Sequence, residues 1–217
     1  MPRPTFDRLA PDKRARFVDA ALDEFARHRF AEASVSRIVA RLGIAKGSVY
    51  QYFDDKVDLF RWLVAEHGRR RAELAGAMPA EGTVWERLAA AYRAGVAEWQ
   101  GDPRWARIGL RSLEPTDEPR LEALRREHQA AVASFLEALL RQGQAEGQVR
   151  DDVDPAVAAH FVQGVLTTGL LSALFARLDT DLEGWVAAPR AITEREAAAL
   201  RDLADQAVEL LRRGLAP

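Results

Sequence analysis

The sequence predicts an all-α protein: an N-terminal domain of three helices built around a helix-turn-helix, then a larger helical domain, about nine helices in total. Three observations carry this. A short amphipathic helix, a glycine turn and a second short helix follow one another between Val35 and Phe53. Apolar residues recur at three- and four-residue spacing, the helical period, in the long segments on either side. Helix-start signals open the later segments: Thr83-Val84-Trp85-Glu86, Asp154-Pro155 and Thr193-Glu194-Arg195-Glu196.

In chain order, residues 1–10 are a short arm, expected to fray or to carry Arg3 and Arg8 toward a polyanion. Pro11 suits a first helical turn. Phe17, Ala21 and Phe25 recur every four residues with Val18 and Leu22 beside them, so residues 11–28 read as a core helix. Ser34 is placed to cap the next helix, from Val35 to Leu42, with Ile38 and Leu42 on its buried side. Gly43 makes the turn, because a residue with a β-carbon adopts that backbone conformation only at a cost. The helix after it buries Val49 and Phe53 and turns Lys46, Gly47, Ser48, Tyr50, Gln51 and Tyr52 toward a partner.

Asp55-Lys56-Val57-Asp58 reads as a capping box that opens a helix from Lys56 to about Ala77, striped by Leu59, Phe60, Leu63 and Val64. At 1.5 Å per residue it spans about 30 Å and connects two domains, residues 1–55 and 56–217. Arg69-Arg70-Arg71 reads as a solvated face, and Met78-Pro79-Ala80-Glu81-Gly82 breaks the helix. Further helices are expected over residues 83–100, around Trp105, Ile108 and Leu110, over 119–146 up to Gly147, over 155–178, and from Thr193 to the end. A loop with Trp185 and Pro189 precedes the last one. The 155–178 segment is apolar nearly all round and long enough for a membrane. His160, Gln163, Thr167, Thr168 and Ser172 interrupt it, and no aromatic belt flanks it, so it reads as a buried helix with a partner on one side.

Composition limits function. The chain of 217 residues (24.1 kDa) is 48% hydrophobic and 29% charged, as ordinary globular proteins are. With no cysteine, disulfides and thiolate chemistry are excluded. The N-terminus has no apolar stretch, so no signal peptide is read and a cytoplasmic location is expected. The net charge is −2; residues 1–60 hold eleven Lys/Arg against nine Asp/Glu, the remainder twenty against twenty-four. Charge alone therefore does not argue for nucleic acid. Only three lysines occur, and two of them are Lys46 and Lys56. His28, His67, His128 and His160 follow Phe25, Val64, Arg125 and Val157 at three residues, so no Glu-x-x-His pair exists. No HExxH, GxSxG or phosphate-cradling glycine loop is present. No enzyme, cofactor or metal is expected.

Ser34-Val35-Ser36-Arg37-Ile38-Val39, then Gly43-Ile44-Ala45-Lys46-Gly47-Ser48-Val49-Tyr50-Gln51-Tyr52-Phe53, then Lys56-Val57-Asp58-Leu59-Phe60 resemble the DNA-binding domain of the TetR family of transcriptional regulators. The match covers roughly the first sixty residues. The resemblance implies that the helix starting at Lys46 enters the major groove of double-stranded DNA. Ser34, Ser36, Lys46, Tyr50, Tyr52 and Lys56 would then face phosphates, Gly47 would admit close approach, and Ser48 and Gln51 would meet base edges. It also implies a ligand-binding and dimerisation role for the second domain, a small apolar or amphipathic effector, and a homodimer that acts as a repressor on a palindromic operator. Ligand candidates are Trp99, Trp105, His128, Phe135 and Phe161. Dimer candidates are Phe161, Gly164, Thr168, Leu171, Phe175, Leu200, Leu203, Ala207 and Leu210. The chain departs from the family at Arg29, where a helix-ending Gly is usual, and at Ala45, where a capping Ser is usual. The alternative reading is a helical ligand-binding or protein-interaction module without sequence-specific DNA binding.

Overall fold

The computed structural model of the chain describes residues 2–76, 82–179, 181 and 192–217. Among these residues every regular element is helical. In chain order they are α1 (Pro4–Asp7), α2 (Pro11–Arg27), α3 (Val35–Leu42), α4 (Gly47–Tyr50), α5 (Lys56–Gly76), α6 (Val84–Gln100), α7 (Pro103–Arg111), α8 (Pro119–Ala145), α9 (Pro155–Gly164), α10 (Leu170–Leu178) and α11 (Glu194–Leu215). A π-helical turn, Val165–Gly169, lies between α9 and α10. Two differences from the sequence reading raise the count. The arm contains a helical turn, α1, and the expected helix over 155–178 is interrupted by the π turn, with Gly164 and Gly169 at its edges. The expected break at 78–81 and the loop with Trp185 and Pro189 lie outside the described residues.

The chain forms two compact units. The first holds the N-terminal residues to Arg70 together with Asp102–Arg125. Its core joins Phe17, Phe25, Ile38, Val49, Phe53, Phe60 and Leu63 to Trp105, Ile108 and Leu121. The periodic apolar residues of α2, α3 and α5 all point into it, as their spacing requires. α7 packs on α2, and Gly109 is what lets it approach α5. A β-carbon at Gly109 would lie 2.5 Å from the His67 ring.

The second unit is Arg71–Gly101 with Arg126–Pro217. One core gathers Val84, Leu88, Leu136, Leu140, Val149, Val162 and Val208. A second gathers Val96, Leu174, Ile192, Ala197 and Leu200. The start signals act as the sequence implies. Thr193 and Glu196 exchange a capping box, Thr83 and Glu86 bond reciprocally, and Asp154 accepts from the Ala156 amide at 2.8 Å. Gly147 takes φ +69° just beyond α8, a conformation that favours glycine.

Candidate nucleic-acid interface

The interface is built on α3, the turn and α4. Gly43 adopts φ +67°, ψ 30°. The Ile44 amide then reaches the Val39 carbonyl at 3.2 Å and the Gly43 amide the Ala40 carbonyl at 3.3 Å. This pair of bonds is a Schellman closure; it satisfies carbonyls that α3 would leave orphaned and fixes the angle at which the chain re-enters α4. α4 is brief, and its hydrogen bonds continue to Phe53, whose amide donates to the Val49 carbonyl at 2.9 Å. Val49 (1% exposed) and Phe53 (0%) hold it to the core. Lys46, Gly47, Tyr50 and Gln51 are exposed on the other face, and Ser48 is half-buried beside them. The side chains of Lys46, Tyr50 and Gln51 make no hydrogen bond or ion pair among the described residues, so their donors and acceptors are open to a partner.

The remaining predicted residues are placed differently. Tyr52 is half-buried, its ring 5.6 Å from Phe17 and 5.9 Å from Phe6. Ser36 is exposed in the first turn of α3. Ser34 stands at the N-cap of α3, but its hydroxyl makes no capping bond; its amide donates to Glu24 at 2.7 Å. Lys56 is half-buried and its ammonium is committed to backbone carbonyls. Its ammonium donates to the carbonyls of Phe30, Ala31 and Ala33 at 2.7, 3.3 and 3.0 Å and lies 4.4 Å from the Phe30 ring centroid. Three donors meet three acceptors, so Lys56 ties the α2–α3 loop to the start of α5, and burial lowers its pKa.

Four features escaped the sequence reading. Phe6 of α1 is fully buried, with ring centroids of Phe17, Tyr52, Phe53 and Trp62 at 5.0–5.9 Å. The arm is therefore part of the domain rather than frayed. Glu24, 8% exposed, receives the Ser34 amide and the Arg37 guanidinium at 2.5 Å. The signal for it was a carboxylate one turn from Ala20 and Ala21 on a core-facing stripe. Ion pairs also join α3, α2 and α7: Arg41 holds Asp23 at 2.5 Å and Asp19 at 3.1 Å, while Arg104 holds Asp19 at 2.7 Å and Asp102 at 2.8 Å. Burial pushes the Asp23 carboxyl up, but Arg27 and Arg41 outweigh it and hold the group below its ordinary value. The fourth is the exit of α2. His28 leaves it extended, φ −121°, which spares Arg29 the left-handed conformation a glycine would supply.

The five ligand candidates are spread over both units. Trp105 belongs to the core of the first unit, Trp99 packs with Val96 and Leu200 in the second, and His128, Phe135 and Phe161 are exposed. Of the dimer candidates, Phe161 and Leu210 are each 71% exposed, and Gly164 and Thr168 are exposed as well. Leu171, Phe175, Leu203 and Ala207 are half-buried. Leu200, at 4% exposed, belongs to the core of its own unit.

A glycine turn between α3 and a short second helix with an exposed, unpartnered polar face is the arrangement of a helix-turn-helix, the unit by which many transcription regulators enter the major groove. The chain matches the family described as bacterial regulatory proteins, tetR family, over residues 17–63. It matches the tetracyclin repressor-like C-terminal domain over residues 81–168. A curated relative, the HTH-type transcriptional repressor Rv1474c of Mycobacterium tuberculosis, is 29% identical over 174 residues, 80% of this chain and 88% of that one. The crystal structure of a TetR family transcriptional regulator from Chloroflexus aurantiacus superposes with a TM-score of 0.75 at 28% identity, covering 100% of this chain and 99% of that one. FadR of Bacillus subtilis, solved in complex with stearoyl-CoA, shares the fold with a TM-score of 0.69 at 20% identity over 92% and 98% of the two chains. The chain belongs to the TetR family of transcriptional regulators. No helix among the described residues is long and apolar enough to cross a membrane.

Proposed function

We propose that the protein is a homodimeric repressor that reads a palindromic operator through α4 and leaves it when a small apolar or amphipathic molecule binds the second domain. The observation that carries the DNA part is the open face of α4: Lys46, Gly47, Tyr50 and Gln51 exposed, opposite a buried Val49 and Phe53. Lys46 suits a phosphate, and Gln51 suits a bidentate pair with adenine worth about 1–3 kcal/mol of discrimination. The dimer is assigned to Phe161, Gly164, Thr168 and Leu210, apolar and small residues that are each exposed in the single chain. Residues 1–55 serve as the reading domain and residues 56–217 as the effector and dimer domain, with α5, which opens the second, connecting it to the first. The effector class finds support in a structural neighbour solved with stearoyl-CoA. An effector acts here by binding the DNA-competent and DNA-released states with different affinity.

Fluorescence anisotropy of duplex DNA from immediately upstream of the protein's own gene, beside random duplex, tests this. Selective binding that Tyr50→Ala and Lys46→Ala weaken, with the fold intact, supports the regulator. Failure to select any duplex, including from a genome-wide fragment pool, would leave the non-reading helical module as the better account.

A further inference from the structure

We infer that Arg3 is a second DNA-backbone contact, held at the reading surface by an arm that caps the far end of the recognition helix; the inference rests on the DNA-reading function proposed above. The last turn of any helix leaves carbonyls without partners. At the end of α4 the arm supplies partners. The Arg3 amide donates to the Tyr52 carbonyl at 2.8 Å, and the Thr5 hydroxyl donates to the Gln51 carbonyl. Phe6, fully buried, anchors the arm from below. The Arg3 backbone is thus fixed at Tyr52, the residue after Gln51, whose side chain belongs to the open face.

Its guanidinium rests on Asp54, with Nε and Nη2 at 3.1 and 2.7 Å from one carboxylate oxygen. Both side chains remain wet, 51% and 67% exposed. An ion pair this open to solvent holds weakly, and phosphate competes with it. A carboxylate beside the reading face repels a phosphate backbone, and Arg3 cancels that charge while offering its own fork of donors. A helix lying in the major groove has a phosphate strand on either side. Lys46 stands at the first end of α4 and Arg3 at the last, so each strand meets one cation.

The experiment measures anisotropy for wild type, Arg3→Ala, Asp54→Asn and the double variant on the upstream duplex and on random duplex, across a salt series. Each phosphate contact adds about 0.9 to the slope of log K against log salt, so two arms add about 1.8 per dimer. Arg3→Ala is expected to flatten the slope by about that amount on both duplexes, with an unchanged melting curve, and the double variant is expected to stay flat. An unchanged slope in Arg3→Ala overturns the inference. So does a double variant that regains wild-type slope and affinity, because Arg3 would then only screen Asp54. Absence of binding by wild type itself would instead overturn the DNA-reading function, and this inference with it.

Discussion

Replacing Phe6 with Ala probes how the reading head is held. The ring is fully buried and meets four aromatic neighbours, with the Phe53 and Trp62 centroids both at 5.0 Å. Removing a buried Phe side chain costs about 3–5 kcal/mol through lost transfer energy and the cavity left behind. Aromatic pairs add about 0.5–1.5 kcal/mol each beyond area, so the upper half of that range is expected here. A domain is stable by only about 5–15 kcal/mol, so the change removes a large part of the total. Two of the neighbours, Tyr52 and Phe53, end the turn that follows α4, and the reading face loosens with them. Urea unfolding followed by circular dichroism reads the stability, and anisotropy reads DNA affinity. Phe6→Leu, which keeps most of the apolar volume, is expected to lose less than half as much in both. A loss under about 1 kcal/mol for Phe6→Ala would contradict a buried seat for the ring and return the arm to a frayed tail.

The other predictions are independent of the arm. Lys56→Met is expected to destabilise the first unit by about 1–3 kcal/mol, because it strips a charged donor from three carbonyls, and to leave the salt slope of DNA binding unchanged; a flattened slope would make Lys56 a phosphate contact after all. Asp23 and Asp102 are both held below 3.8, since their Arg partners outweigh the burial that pushes them up. A depressed carboxylate contributes its full stability above its unfolded pKa and loses it as pH falls through the folded one. The melting temperature of the first unit is therefore expected to hold down to about pH 5 and fall below about pH 4, and Asp23→Asn to fall less steeply; a fall already complete at pH 5 would contradict this. Phe161→Asp with Leu210→Asp is expected to give monomers in sedimentation velocity at micromolar protein with the helical content kept; an unchanged dimer would place the interface elsewhere.

What the sequence made legible was local. Gly43 signals its own backbone conformation, and Val49 and Phe53 lie one turn apart, so the turn and the buried face of α4 follow from a dozen neighbouring residues. The capping signals at Thr83, Asp154 and Thr193 are equally short-range. What stayed hidden depends on distant partners. Phe6 is one aromatic in an arm with two prolines and belongs to no period, so only the assembled core shows its seat. Lys56 looks like a surface cation until the Phe30–Ala33 carbonyls are seen beneath it. Trp99, Trp105, His128, Phe135 and Phe161 sit on helices whose spacing says which residues share a stripe, but not which helix each stripe meets. Residues 102–125 joined the first unit for the same reason. Ser34 reached the predicted N-cap but its hydroxyl makes no cap, and its own amide bonds Glu24, ten residues away, a partner that only the packing of α2 on α3 supplies.

Hydroxyl-radical footprinting on the tightest duplex recovered from a random-sequence pool shows whether a symmetric dimer reads DNA through α4. Two protected half-sites related by a two-fold axis are expected, with centres one helical turn apart, about 34 Å, or a multiple of it. Gln51→Ala is expected to relax base preference within each half-site and to leave their spacing unchanged. Recovery of no common sequence, or of a single protected site without symmetry, would contradict a dimer that reads DNA through α4.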